Sequence, residues 1–263
     1  RRIFLASEAI SGLLVSKSVN YVILTHKTHL RFAHVSTLSV VGATVASGVH
    51  CSQILKFLPG DVMTLHIRPA QASDAADLLA IYAPYVRETT VTFEFDVPSV
   101  KEFAARIEQA QKRYAYLVLE KTDGDESKRR AVGYAYYGAF KSRPAYQWSA
   151  ETSIYLAEKE RGHGAGSILL SALESCMAAQ GITNSEACIT GENDSSVEFH
   201  RRHGYEERAR FIKCANKFDR WLDVVWMEKY VGPHGENPQP IQPLDNLELM
   251  RIVDVANERL NKR

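Results

Sequence analysis

From residue 64 onward the apolar positions repeat with two different periods, and the switches between them mark out strands and helices. "TLHIRPA" alternates apolar and polar residues, which predicts a half-buried strand. "SDAADLLAIYAPYV" then spaces its apolar residues three and four apart behind early acidic ones, which predicts a helix with Ser73 as N-cap. "SVKEFAARIEQAQKR" opens with Ser99 and Glu102 in capping-box spacing and sets Val100, Phe103 and Ile107 on one helical face. "YAYLVLE" and "AVGYAYYGAF", joined by the polar run "KTDGDESKRR", predict a hairpin. A strand "QWSAETSIYL" follows, then a helix "GSILLSALESCMAAQG" that ends with Gly181 in the C′ position. The short strand "SEACIT" leads to a short helix "NDSSVEFHRRHG", capped by Asn193, Asp194 or Ser195 and stopped at Gly204. Two strands, "YEERARFIK" and "WLDVVWMEKY", complete the run near residue 230.

This order excludes a purely parallel sheet. The early strands form hairpins, whereas the helix after Gly166 has to cross over between strands lying side by side, so the sheet is mixed. The expected class is α/β in the broad sense (α+β), with a mixed, mostly antiparallel central sheet flanked by helices. A core domain is expected over 63–231. Beyond it, "VGPHGENPQPIQPL" is a Pro-rich linker within 232–263, and an amphipathic stretch from about Asp245 to Lys262 either docks as a helix or stays loose.

Residues 1–62 differ in composition. Six basic residues stand against two acidic ones there, and the first methionine, Met63, directly precedes the first convincing strand. The leader has three readings: an organellar transit segment, a small extra domain, or sequence ahead of the working start with no evolved fold. The last is preferred. "HKTH" and "VHC" in this region have no matching second half of a metal site.

Composition narrows the classes further. With 45% hydrophobic and 24% charged residues and a net charge of +1, the chain is an ordinary globule with no overall field for nucleic acid or acidic membrane. Its four cysteines, Cys51, Cys176, Cys188 and Cys214, show no C-x-x-C spacing and read as reduced thiols, with Cys176 and Cys188 as packing residues. A cytoplasmic setting and no metal are expected.

One loop carries chemistry. Arg161, Gly162, His163, Gly164, Ala165 and Gly166 stand between a strand and a helix. A helix N-terminus has amides without intrahelical acceptors and a partial positive charge, and glycines let a diphosphate approach that backbone. A P-loop would need a following lysine, and a dinucleotide fold would place such a loop at its first strand. A plain tight turn is the competing structural reading. A second candidate is Glu151, a carboxylate set between small residues inside a strand, where burial is costly unless it serves a purpose.

"RGHGAG" is similar to the Arg/Gln-x-x-Gly-x-Gly/Ala motif of the GNAT acyltransferase superfamily. "IRPAQASD", "TTVTFEF", "YAYLVLE", "AYQWSAETSIYL", "RGHGAGS", "NDSSVEFHRRHGY" and "WLDVVWM" together resemble its phosphinothricin and methionine sulfoximine acetyltransferase branch. The resemblance spans residues 64 to about 230 and neither flank. It implies a GNAT fold with a cofactor cleft between two splayed parallel strands, acetyl-CoA as acyl donor, and a small amino-acid-like amine as acceptor. By the same resemblance Arg161 to Ser167 hold the diphosphate, while Ile154, Tyr155, Leu156 and Asn193 hold the pantetheine arm. Glu151 is then the general base, and His200 either a proton donor or an orienting group. Phe93, Lys141, Arg143 and Tyr146 fall where the acceptor would be held. The resemblance also implies a homodimer. Competing functions are acetylation of a polyamine or protein amine, and a non-catalytic acyl-CoA-binding module.

Overall fold

In a computed structural model of the chain, residues 64–122 and 129–262 are described in full, and 13–16, 21–26 and 29–34 as backbone strands only. The chain divides into two units, Arg1–Leu58 and Pro59–Arg263. In the first, β1 (Leu13–Ser16), β2 (Tyr21–His26) and β3 (His29–His34) pair as an antiparallel meander. The remaining expectations for the leader, Cys51 included, lie outside the described residues.

The second unit opens with β4 (Thr64–Pro69), whose alternating residues bury Ile67 completely. A short 3-10 turn, Ala72–Asp74, leads into α1 (Ala75–Glu88). Ser73 is not the N-cap expected of it. Asp74 holds that position, because its carboxylate accepts from the Gln71 amide at 2.7 Å and from both terminal nitrogens of Arg68 at 2.7 Å. Arg68 also donates to Glu120 at 2.8 Å, which ties the start of α1 to the sheet. α2 (Val100–Gln111) begins with the expected capping box, Ser99 Oγ accepting from the Glu102 amide and Glu102 accepting from the Ser99 amide at 2.7 Å. Phe103 and Ile107 are buried, but Val100 is half exposed because it sits in the first turn, ahead of the packed part of the helix.

β5 (Tyr116–Thr122) and β6 (Arg130–Ala139) form the expected hairpin. They are followed by β7 (Ser149–Leu156), α3 (Ala165–Ala179), β8 (Asn184–Thr190), α4 (Asp194–Arg202), β9 (Glu206–Lys217), β10 (Arg220–Tyr230) and α5 (Asn246–Asn261). The sheet order is β4-β5-β6-β7-β8-β10-β9, antiparallel throughout except for β7 with β8, the pair bridged by α3. This is the mixed α/β arrangement expected.

Buried clusters on both faces sandwich the sheet. On one face Tyr116, Val118 and Tyr134 pack against Leu78, Tyr82 and Ile107 of α1 and α2. On the other, Leu117, Leu119, Val132 and Ala150 pack against Leu169, Leu173 and Cys176 of α3, with Ile252, Val253 and Leu260 of α5 joining them. The C-terminal helix is therefore docked. Cys176 is buried, as expected, whereas Cys188 is exposed, since it alternates onto the face of β8 that α3 and α4 do not cover. Among the described residues, no helix is long and apolar enough to cross a membrane.

Candidate active site

The parallel pairing of β7 with β8 is short. Ser149, Ala150 and Glu151 pair with Asn184, Ser185 and Glu186, and there the ladder stops. β7 runs on from Thr152 to Leu156, held by β6 on one side and, among the described residues, paired with no strand on the other. The strands thus part at Glu151 and leave a wedge whose β7 wall is an open main-chain edge. Such an edge can bind an extended, amide-bearing ligand as a further strand. Ile154, Tyr155 and Leu156 lie on that wall. The Leu156 carbonyl accepts from Tyr85 Oη at 2.6 Å, and the Tyr155 ring is fixed edge-on to Tyr82 and Tyr85, so the wall is rigid.

After β7 the chain passes through Arg161 to the glycine loop. Gly162 and Gly164 have φ of 78° and 79°, the left-handed region that other residues enter at a cost, and a Cβ at Gly162 would meet no protein atom within 4 Å. Gly164 is the N-cap of α3, with no side-chain cap, so the first amides of α3 are left to an outside acceptor. Gly166 has an additional duty: a Cβ there would stand 3.1 Å from Leu156 Cδ1, so glycine lets α3 pack against β7. Ala165 is buried, Ser167 half-buried with its amide donating to the Gly164 carbonyl at 3.2 Å, and His163 is exposed. The Arg161 guanidinium lies over the Tyr85 ring at 5.0 Å.

Glu151 is half-buried at the crotch of the wedge. Burial raises its pKa above the ordinary carboxylate value, and the Lys141 ammonium works against that rise. A raised pKa makes it a stronger base. Gly138, its register partner on β6, lines a cavity of about 690 Å³ together with Tyr82, Glu94, Phe103, Arg106 and Tyr136. Glu94 and Arg106 pair at 2.6 Å in this lining. Sequence reasoning missed both. The one available signal was that Glu94 directly follows Phe93, while Arg106 lies in a helix whose polar positions look alike.

Of the four residues expected to hold the acceptor, Lys141 and Tyr146 come together. Lys141 Nζ stands over the Phe140 ring at 4.5 Å and the Trp226 ring at 5.1 Å, and Tyr146 meets Phe140 edge-on. Arg143 is exposed ahead of the short 3-10 turn Pro144–Tyr146. Phe93 lies in the loop between α1 and α2, which is anchored by Lys217 Nζ donating to the Thr92 carbonyl at 2.7 Å and by Thr190 Oγ1 donating to the Thr90 carbonyl.

His200, on α4, is 3% exposed, and burial pushes its pKa down to about 4. The ring is neutral at physiological pH. Its Nδ1 lies 2.8 Å from the Ser196 carbonyl, a partner that can only accept, so the proton sits on Nδ1 and Nε2 is an acceptor. Asn193 caps α4, its Oδ1 accepting from the Ser196 amide at 3.2 Å and from Ser195 Oγ at 2.9 Å. Its amide NH2 is left to donate elsewhere.

The acetyltransferase (GNAT) domain family matches residues 67–226. A phosphinothricin N-acetyltransferase of Streptomyces viridochromogenes is 33% identical over 70% of this chain and 96% of its own. An L-methionine sulfoximine/L-methionine sulfone acetyltransferase of Pseudomonas aeruginosa is 32% identical over 67% of this chain and 100% of its own. Among solved structures, a GNAT superfamily phosphinothricin acetyltransferase from Sinorhizobium meliloti, in complex with AcCoA, is similar at a TM-score of 0.61. It is 34% identical and covers 70% of this chain and 96% of its own.

Proposed function

Because the chain belongs to the GNAT acetyltransferase family and is an acetyl-CoA-dependent N-acetyltransferase, we propose that it acetylates the α-amine of a small amino-acid-like acceptor of the phosphinothricin or methionine sulfoximine type. The observation that carries this reading is the fork itself: an open main-chain edge, an uncapped glycine-led helix start and a raised carboxylate meet within one wedge. The diphosphate of acetyl-CoA rests on amides from Gly162 to Ser167, with Arg161 beside it. The pantetheine arm lies along Ile154 to Leu156 and takes a hydrogen bond from Asn193.

The acceptor arrives as an ammonium, which has no lone pair. Glu151 removes one proton, the free amine attacks the thioester carbon, the C–N bond forms and the C–S bond breaks. The second nitrogen proton ends on the departing sulfur. His200 takes part as a neutral orienting group and not as an acid, since its one proton is committed to Ser196. Lys141 and Arg143 offer charge for the acceptor's acidic group, and Phe93 and Tyr146 line its approach. We also infer a homodimer. The β9–β10 hairpin exposes Phe211, Ile212, Phe218 and Trp221, more apolar surface than a lone edge hairpin usually shows water.

Thiol release from acetyl-CoA is the test. It should be fast with L-phosphinothricin, L-methionine sulfoximine or L-methionine sulfone, and slow with spermidine or a peptide amine. Faster release with spermidine than with all three amino acids would overturn the acceptor class.

A further inference from the structure

A carboxylate that sequence reasoning passed over stands beside Glu151. In the parallel register Glu186 is the partner of Glu151, and in the antiparallel register it is the partner of Glu228. Side chains of register partners share a face of the sheet, so three carboxyl groups line up across β7, β8 and β10. On β9 the register partner of Glu228 is Glu206, and Arg208 bridges the two, its Nε donating to Glu228 at 2.9 Å and its Nη1 pairing with Glu206 at 2.8 Å. Glu186 is more buried than Glu151, and beyond it exposure rises along this line. Glu186 is 8% exposed, while the side chains of Glu228 and Arg208 are 16% and 47% exposed. The row therefore leads from the crotch of the wedge to the surface.

Where the proton in this row sits follows from the donors around it. Glu228 accepts at Oε1 from Asn184 Nδ2, at 2.6 Å, and at Oε2 from Arg208 Nε. Both partners are donors, so both Glu228 oxygens act as acceptors. The hydrogen shared between Glu186 and Glu228 therefore belongs to Glu186. Burial, the Glu228 charge and that hydrogen bond raise the Glu186 pKa to about 7, with Glu151 adding to the rise and Arg208 opposing it. The other groups facing Glu186 are Asn184 and Cys188 on its own strand and Lys141, which acts on both Glu151 and Cys188, while Tyr205 lies across the sheet on the face of Ser185. The Tyr205 hydroxyl is exchanged with Ser185, so it does not compete for the Glu186 proton.

We propose that Glu186 is a second proton-carrying group of this site, taking from Glu151 the proton removed from the acceptor ammonium and passing its own to Glu228 at the surface. The inference rests on the acetyl transfer proposed above. One O–H bond forms on Glu186 as Glu151 loses its proton, and one breaks as Glu228 gains one. Glu228 releases that proton to water, and Glu151 is a carboxylate again. No other bond changes, and the net result is one proton moved from ammonium to solvent. Glu186 touches neither substrate and acts through Glu151, as a positioning and proton-carrying residue.

Glu186→Gln keeps the size and the hydrogen bond to Glu228 but can carry no proton. With acetyl-CoA and L-methionine sulfone, the variant should lose about tenfold in kcat, less than loss of the base itself because water can stand in for it, with both KM values within about twofold. Free imidazole at high concentration should restore much of that rate, which a packing defect would not allow. An infrared difference spectrum, wild type minus variant, should show a protonated-carboxyl band at about pH 5.5 that is gone by about pH 8.5. Absence of that band, or a Glu186→Gln kcat equal to wild type, overturns the inference. The infrared titration needs no acceptor, so it tests Glu186 even if the acceptor panel overturns the proposed function.

Discussion

At the scale of single residues, the site depends on environments that change what ordinary side chains can do. Glu151 is made more basic by burial, and its conversion to Gln should lower kcat by about a hundredfold to ten-thousandfold, with acetyl-CoA affinity by calorimetry nearly unchanged. His200 gives a pH prediction of known sign. Its folded pKa, about 4, lies below the ordinary 6.5, so between these values the unfolded chain binds a proton that the native one refuses. Stability is lost as pH falls through that window. The slope of Tm against pH should therefore be shallower there in His200→Gln than in wild type, whatever the offset between the two curves. Gly164→Ala forces a Cβ into left-handed backbone, at about 1–2 kcal/mol, at the N-cap of α3 where the anion is proposed to rest. Its expected signature is a raised KM for acetyl-CoA with the acceptor KM unmoved.

At the scale of elements, caps and periods were legible in the chain, and contacts between elements were not. Ser99 and Glu102 announce α2 because their partners lie three residues away. Ser73 misleads because Asp74 is claimed by Arg68 of β4, a tertiary contact that no local rule includes. Amphipathicity suggested α5 but could not say what it covers. Asn257 answers that: its Oδ1 accepts from the Ile67 amide at 2.6 Å and its Nδ2 donates to the Ile67 carbonyl at 2.9 Å. One side chain thus replaces a neighbouring strand on the free edge of β4 and blunts it against pairing with other chains. Asn257→Ala should cost about 1–3 kcal/mol for each buried group left unpaired, read as a shift in the urea midpoint.

At the scale of the whole molecule, the glycine loop and Glu151 were readable because each sits in one continuous stretch of sequence. Their meeting was implied only by the family resemblance and by no spacing in the chain. It depends on how β7 and β8 align and where they part, a register set by side chains that face each other only after folding. The row from Glu151 through Glu186 to Glu228 was hidden for the same reason, since its members come from three strands and no spacing in the chain relates them. The Lys141 and Trp226 contact is another long-range product of that alignment.

A crystal structure of this chain with acetyl-CoA tests the central claim most directly. The account predicts the diphosphate on the amides between Gly162 and Ser167, the pantetheine arm hydrogen-bonded along Ile154 to Leu156, and the thioester carbon within a few ångströms of the space in front of Glu151. A donor bound elsewhere, or a thioester on the face of the sheet away from the Glu151 carboxylate, would contradict it.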